Sequence, residues 1–172
     1  MFQKSRHNRA NPPIISPSHY SEGVVTVNAH QLRDIIEEGE NDRIEFKRCG
    51  NQPEKDLFET ICAFANTFGG TILLGVEDDG SLTGIDPAQV LPITRNVLNV
   101  VNNPNAFDVP VSMEFEHIEI GDRQIIKIDV PNSPQMHSYN GKVYERRGDA
   151  DVVVRGSAPL AELCIRKQGI YT

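Results

Sequence analysis

Three carboxylates and a lysine are the residues that could do chemistry. Glu40 and Glu45 lie in Glu40-Asn-Asp-Arg-Ile-Glu-Phe-Lys47, and Asp78 lies in Glu77-Asp-Asp-Gly80. If folding gathers these acids, they repel one another unless a divalent cation or protons neutralise them. Magnesium and manganese take such oxygen ligands and keep water that can attack a phosphate. Lys47 would then steady a phosphate oxygen beside them. The alternative is a set of solvated acids in an acidic chain, with Lys47 in a surface ion pair worth about 0–1 kcal/mol. Spacing alone leaves both open.

A second group is basic and aromatic. Arg146-Arg147-Gly148 follows His137, Tyr139 and Tyr144, and strand alternation places Tyr144 and Arg146 on one face. Arginines grip phosphates and tyrosines stack on unpaired bases, so this reads as a nucleic-acid edge or as an ordinary exposed hairpin. Arg48, at the end of the strand that carries Lys47, joins the candidate contacts. Asn66-Thr67-Phe68-Gly69-Gly70 contains no Walker or Rossmann phosphate loop. It reads as a tight helix-to-strand turn in which Asn66 bonds local backbone. The histidines show no metal-ligand spacing, and His117 is expected to face the core or sit in a bulge.

These groups need elements to position them. An N-cap at Asn28 with Gln31 starts a helix with Leu32, Ile35 and Ile36 on its apolar face, ended by Gly39. A short strand over Val24–Val27 would precede it. Glu40 then falls in a turn before a strand Arg43–Arg48, where Ile44 and Phe46 share one face and Arg43, Glu45 and Lys47 the other. Asn51, Pro53 and Glu54 start a second helix with Leu57, Ile61, Phe64, Ala65 and Phe68 at helical spacing, stopped by Gly69-Gly70. Thr71–Val76 reads as a central strand covered on both faces. Asp86-Pro87-Ala88-Gln89 starts a third helix whose core face is Val90, Ile93, Val97, Leu98 and Val101. A long strand is expected over Val109–Ile120, with a bulge near Glu116-His117 where the apolar parity changes. Gln124–Val130 is the next strand. Asn140-Gly141 should turn a hairpin between Gln135–Tyr139 and Lys142–Arg146. An apolar run Val152–Val154 and a helix capped by Ser157, with Leu160, Leu163 and Ile165, complete the chain. The class is α/β (α+β), a mixed sheet packed with three to four helices.

With 172 residues, 38% of them hydrophobic, the chain suits one globular domain over residues 24–156, an N-terminal arm over 1–23 and a C-terminal helix and tail over 157–172. The arm carries Lys4, Arg6 and Arg9 and reads as a disordered tail or a phosphate-binding arm. A net charge of -7 argues against a protein that coats nucleic acid by bulk electrostatics, so any contact must be local. The three scattered cysteines suit neither a disulfide framework nor a zinc finger. No apolar run approaches the roughly 20 residues that cross a bilayer, so no membrane partner and a cytoplasmic location are expected.

Taken together, Glu40-x-x-x-x-Glu45-Phe46-Lys47, Ala63-Phe64-Ala65-Asn66-Thr67-x-Gly69-Gly70, Gly75-Val76-Glu77-Asp78-x-Gly80 and Tyr144-x-Arg146-x-Gly148 resemble the Schlafen AlbA-like domain family. The resemblance covers about Asn28 to Val154. It implies an α/β domain described as DNA-binding or divergent AAA-type. In several Schlafen proteins it implies a metal-dependent endoribonuclease acting on structured RNA such as transfer RNA, whose catalytic acids match Glu40, Glu45 and Asp78. The same match assigns those acids magnesium or manganese. Lys47, Arg48, Tyr144, Arg146 and Arg147 become the nucleic-acid contacts, with RNA favoured over DNA. The Schlafen core has two such domains in tandem, which a homodimer would rebuild here. Its zinc-binding Cys/His cluster has no counterpart in this chain. A non-catalytic DNA- or RNA-binding module is the competing reading.

Overall fold

Both parities of the inner strands are apolar, so the sheet needs cover on each face. The computed structural model describes residues 29–169. Its elements are α1 (29–38), β1 (Ile44–Lys47), α2 (Asp56–Asn66), β2 (Gly70–Leu74), α3 (Pro87–Val101), β3 (Glu114–Ile120), β4 (Arg123–Val130), β5 (Tyr144–Arg147), β6 (Ala150–Val153) and α4 (Ser157–Gly169). The main sheet has the order β1-β2-β4-β3, with β1 parallel to β2 and the other pairs antiparallel; β5 and β6 form a separate antiparallel pair. This is an α+β arrangement with a mixed sheet, as the sequence leads one to expect.

Two apolar clusters result. Ile72, Leu74, Ile126 and Ile128 face α2 and α3, while Leu73, Ile125, Ile118 and Phe46 face α1 through Leu32. Each fully buried side chain of this kind contributes about 1.5–3 kcal/mol. β2 lies second in the order and is buried over Ile72–Leu74, the central position read from its unbroken apolar run. Gly39, at φ 80, ends α1 and donates its N–H to Ile35 O. Asp86 caps α3 by accepting from the Ala88 N–H at 2.9 Å.

Several expectations change. Residues 109–113 lie outside the strand, and β3 pairs with β4 in unbroken register from Glu114↔Asp129 to Ile120↔Arg123, without a bulge. The parity change arises because Val111 and Phe115 serve the α2/α3 cluster, whereas Ile118 and Ile120 serve the α1 cluster. His117 is exposed, 3.2 Å from the Thr94 hydroxyl. Asn140-Gly141 does turn the chain, with positive φ at both, but only a single Tyr139↔Lys142 bridge follows. The regular hairpin is β5–β6. Phe68, Leu98 and Ile165, expected on core faces, are 59%, 38% and 67% exposed. Helix α2 ends at Asn66, so Phe68 lies beyond its periodicity. The Val24–Val27 strand, the Asn28 cap and the arm lie outside the described residues.

Asn66 does not bond local backbone. Its amide nitrogen donates to His137 O at 2.9 Å and Tyr144 O at 2.8 Å, and its oxygen accepts from the His137 N–H at 2.8 Å. One buried side chain therefore ties the end of α2 to two distant stretches of backbone. Helix α4 is held similarly. Its buried Lys167 extends Nζ to Ala65 O and Ser133 O, both at 2.8 Å. Burial lowers that amine to about 8.

Candidate functional site

Strand alternation brings the charged groups together at the β1 corner. Because Ile44 and Phe46 point toward α1, Glu45 and Lys47 point the other way, toward α2 and β5. Glu45 is 7% exposed, and a buried carboxylate demands partners. It has two: Lys47 Nζ reaches Oε1 at 2.6 Å, and Arg146 Nη2 reaches Oε2 at 2.6 Å. Lys47 also holds Asp56 at 2.9 Å. Burial opposes its charge, but hydrogen bonds to Glu45 and Asp56 outweigh that and raise its pKa.

Arg146 arrives from β5 with a side chain 1% exposed. It also donates to Asp151 Oδ1 at 3.0 Å and Asn41 O at 2.9 Å, and its guanidinium lies 5.0 Å from the Phe64 ring centroid. Thr60 closes the chain by donating to Asp151 Oδ2 at 2.5 Å. Arg146 Nε and Asp56 Oδ1 are buried without a hydrogen-bond partner.

The other two acids border this network. Glu40 sits in the turn after α1, and its Oε1 accepts from the Phe46 N–H at 2.9 Å. Burial raises its pKa; the charges of Glu45 and Asp78 add to the rise, while the Phe46 hydrogen bond and Lys47 oppose it. Glu45 and Asp78 therefore lie within electrostatic reach of Glu40. Asp78 is exposed in the turn after β2.

A ready cation site needs free carboxylate oxygens converging on one point. Here both Glu45 oxygens are taken by cations and Glu40 Oε1 by a backbone N–H. Among the described residues, no group of three or more His, Cys, Asp or Glu side chains is placed to hold a metal ion. In this arrangement the corner does not fit a magnesium or manganese ion.

The basic and aromatic edge divides. Tyr144, Tyr139 and His137 are buried, and the Tyr144 hydroxyl donates to Glu59 at 3.0 Å. Tyr144 and Arg146 do share a face, but it is the inner one, because β5 packs on α2. Neither ring nor guanidinium is free there to meet a base or phosphate. Arg48 and Arg147 do face solvent, at 74% and 61% side-chain exposure. Arg48 lies 3.7 Å from Glu77, and Arg147 Nε donates to Glu145 at 2.7 Å.

Sequence reasoning passed over Asp56, Asp151, Thr60 and Arg166. Arg166 Nη2 donates to Glu145 Oε2 at 2.9 Å while its side chain stays 59% exposed. Asp56 carried one signal, an acid in the first turn of a helix. Asp151 carried none, since its partners are supplied by β5 and α2.

A family model described as Schlafen, AlbA_2 matches residues 40–155, which include every corner side chain discussed above. Among solved structures, the DIP2311 protein from Corynebacterium diphtheriae is similar at a TM-score of 0.50 and 18% identity, covering 77% of this chain and 27% of that one. The chain thus spans about a quarter of that protein's length. The N-terminal domain of a RecG-related protein from Nitrosomonas europaea aligns at a TM-score of 0.47 and 25% identity, covering 73% of this chain and 94% of that one. No curated protein gives a match.

Proposed function

The chain belongs to the Schlafen AlbA_2 family, and from that premise we propose that it is a nucleic-acid-binding domain. The observation that carries this reading is local. In a chain of net charge -7, the exposed Arg147 and Arg166 converge on one buried carboxylate, Glu145, beside the late motif that holds Arg146. Glu145 orients both guanidinium groups without using all their N–H donors, which leaves donors for phosphate oxygens. Arg48 is the other candidate contact with an exposed side chain. Lys47, Tyr144 and Arg146 act from inside, by holding β1 and β5 in place. The test is fluorescence anisotropy of labelled RNA and DNA with purified protein across a salt series, with and without EDTA. Binding that weakens with salt and survives EDTA supports the reading; no binding at low salt rejects it.

A second reading, a metal-dependent endoribonuclease acting on structured RNA such as transfer RNA, is favoured by one observation: the raised Glu40 carboxyl beside Glu45 and Asp78. It requires Glu45 to part from Lys47 or Arg146 before any cation could reach it. Incubating transfer RNA with the protein in manganese or magnesium, with Asp78→Ala as control, tests it. Cleavage that disappears in the variant supports the nuclease; equal cleavage, or none, removes it. A homodimer belongs to the same reading and is checked by sedimentation.

A further inference from the structure

Phe68 is an anomaly in its surroundings. The preceding residues, Ile61 to Asn66, are all at most 1% exposed, whereas Phe68 is 59% exposed. The backbone prevents it from retracting. The N–H groups of Thr67 and Gly69 both donate to Phe64 O, at 3.1 and 2.8 Å. Gly69 adopts φ +72 and packs so closely that an added Cβ would lie 2.6 Å from Val130 O. A rigid turn thus holds a large aromatic ring in water.

The ring has companions. The Arg43 guanidinium lies over it, 5.5 Å from the centroid, forming a cation–π pair. Phe68 also lines two open cavities. One, of about 630 Å³, is bounded by Arg43, Gly69, Gly70, Met113 and Glu114; the other, of about 550 Å³, by Arg147, Ile165 and Arg166. The first has the size of a small-ligand cleft. Its charged rim includes Glu114 and Asp129, the latter already held by Thr71 and Lys127. Carboxylates repel phosphate but accept from the amino groups of bases. The second cavity carries the two exposed arginines, with Glu145 engaged by both and Glu162 on the rim.

We propose that Phe68 is a stacking platform for an unpaired base of a single-stranded nucleic acid, with the base in the Arg43 cavity and the adjacent phosphates on Arg147 and Arg166. This rests on the nucleic-acid reading above and names the strand state it prefers. The ring surface that Arg43 leaves exposed can stack any base, whereas a duplex keeps its bases stacked on one another along its length. The division of charge between the cavities separates base from backbone.

The experiment uses the full chain with labelled single-stranded and hairpin oligonucleotides, and the variants Phe68→Ala and Phe68→Trp. The protein contains no tryptophan, so the indole of F68W is a unique reporter. Because the ring is exposed, both variants should keep the parent's circular dichroism and unfolding midpoint, which are measured first. Expected are single-strand binding weakened roughly tenfold in F68A, retained binding in F68W, and quenching of its indole on titration. F68A binding as tightly as the parent would overturn the platform and leave the nucleic-acid reading standing. Parent protein that binds no oligonucleotide would overturn that reading and the platform with it. Indole emission moved by polyglutamate but not by oligonucleotide would overturn the proposal in favour of an acidic protein partner.

Discussion

Glu45 and Asp78 belong to the same candidate trio, yet the fold treats them oppositely. Glu45 is buried between two cations, and removing one partner of a buried ion pair leaves uncompensated charge. Glu45→Ala should therefore cost about 3 kcal/mol, read as a lower urea midpoint at unchanged slope. Asp78→Ala, on an exposed turn, should change stability by no more than about 0.5 kcal/mol. Loss of any activity in the Glu45 variant thus carries meaning only beside its unfolding curve, and Asp78 is the cleaner probe. Arg146→Lys should not rescue the corner, because one ammonium cannot span Glu45, Asp151 and Asn41 O as the planar guanidinium does.

At the scale of elements, the joint between α2 and β2 carries the most constraint. Gly69→Ala would place a methyl 2.6 Å from Val130 O at a φ that L residues rarely adopt. A loss of about 2–4 kcal/mol is expected by chemical denaturation, with β4 displaced at its end. Asn66→Ala removes three hydrogen bonds to buried backbone and should cost about 2–3 kcal/mol. Helix α4 gives a pH signature. Burial holds the folded Lys167 amine at about 8, below the 10.5 of the unfolded chain, so between those values the unfolded state binds the extra proton. Stability should then rise with pH from about 8 to 10.5, and the gain should fall away as pH drops through 8. Thermal unfolding across that window in the parent and in Lys167→Met measures it; the variant should lose this part of the slope.

At the scale of the whole molecule, acidity and nucleic-acid binding are reconciled by confinement. Most cations near the corner are spent on buried carboxylates, while Arg43, Arg147 and Arg166 remain exposed around Phe68. With Arg147 and Arg166 taking the phosphates, the log–log salt dependence for single strands should be shallow, with a slope of about −1.4. A slope beyond about −5 would require a contact surface larger than this patch.

Periodicity and punctuation determined a great deal: the order of the elements, the central place of β2, the glycine stops and the facing of Ile44 and Phe46 away from Glu45. These are local consequences of strand alternation, helical spacing and backbone sterics, so they can be read in a linear string. The motif spacing likewise singled out the corner and the family. What the string could not contain is which side of each element is covered. Tyr144 and Arg146 look like a binding edge until β5 is laid on α2, and Phe68 looks like core until the turn carries it out. One of the two partners of Glu45, Arg146, comes from a strand about a hundred residues away. Burial and charge pairing are properties of contacts between distant segments, and only the assembled structure decides them.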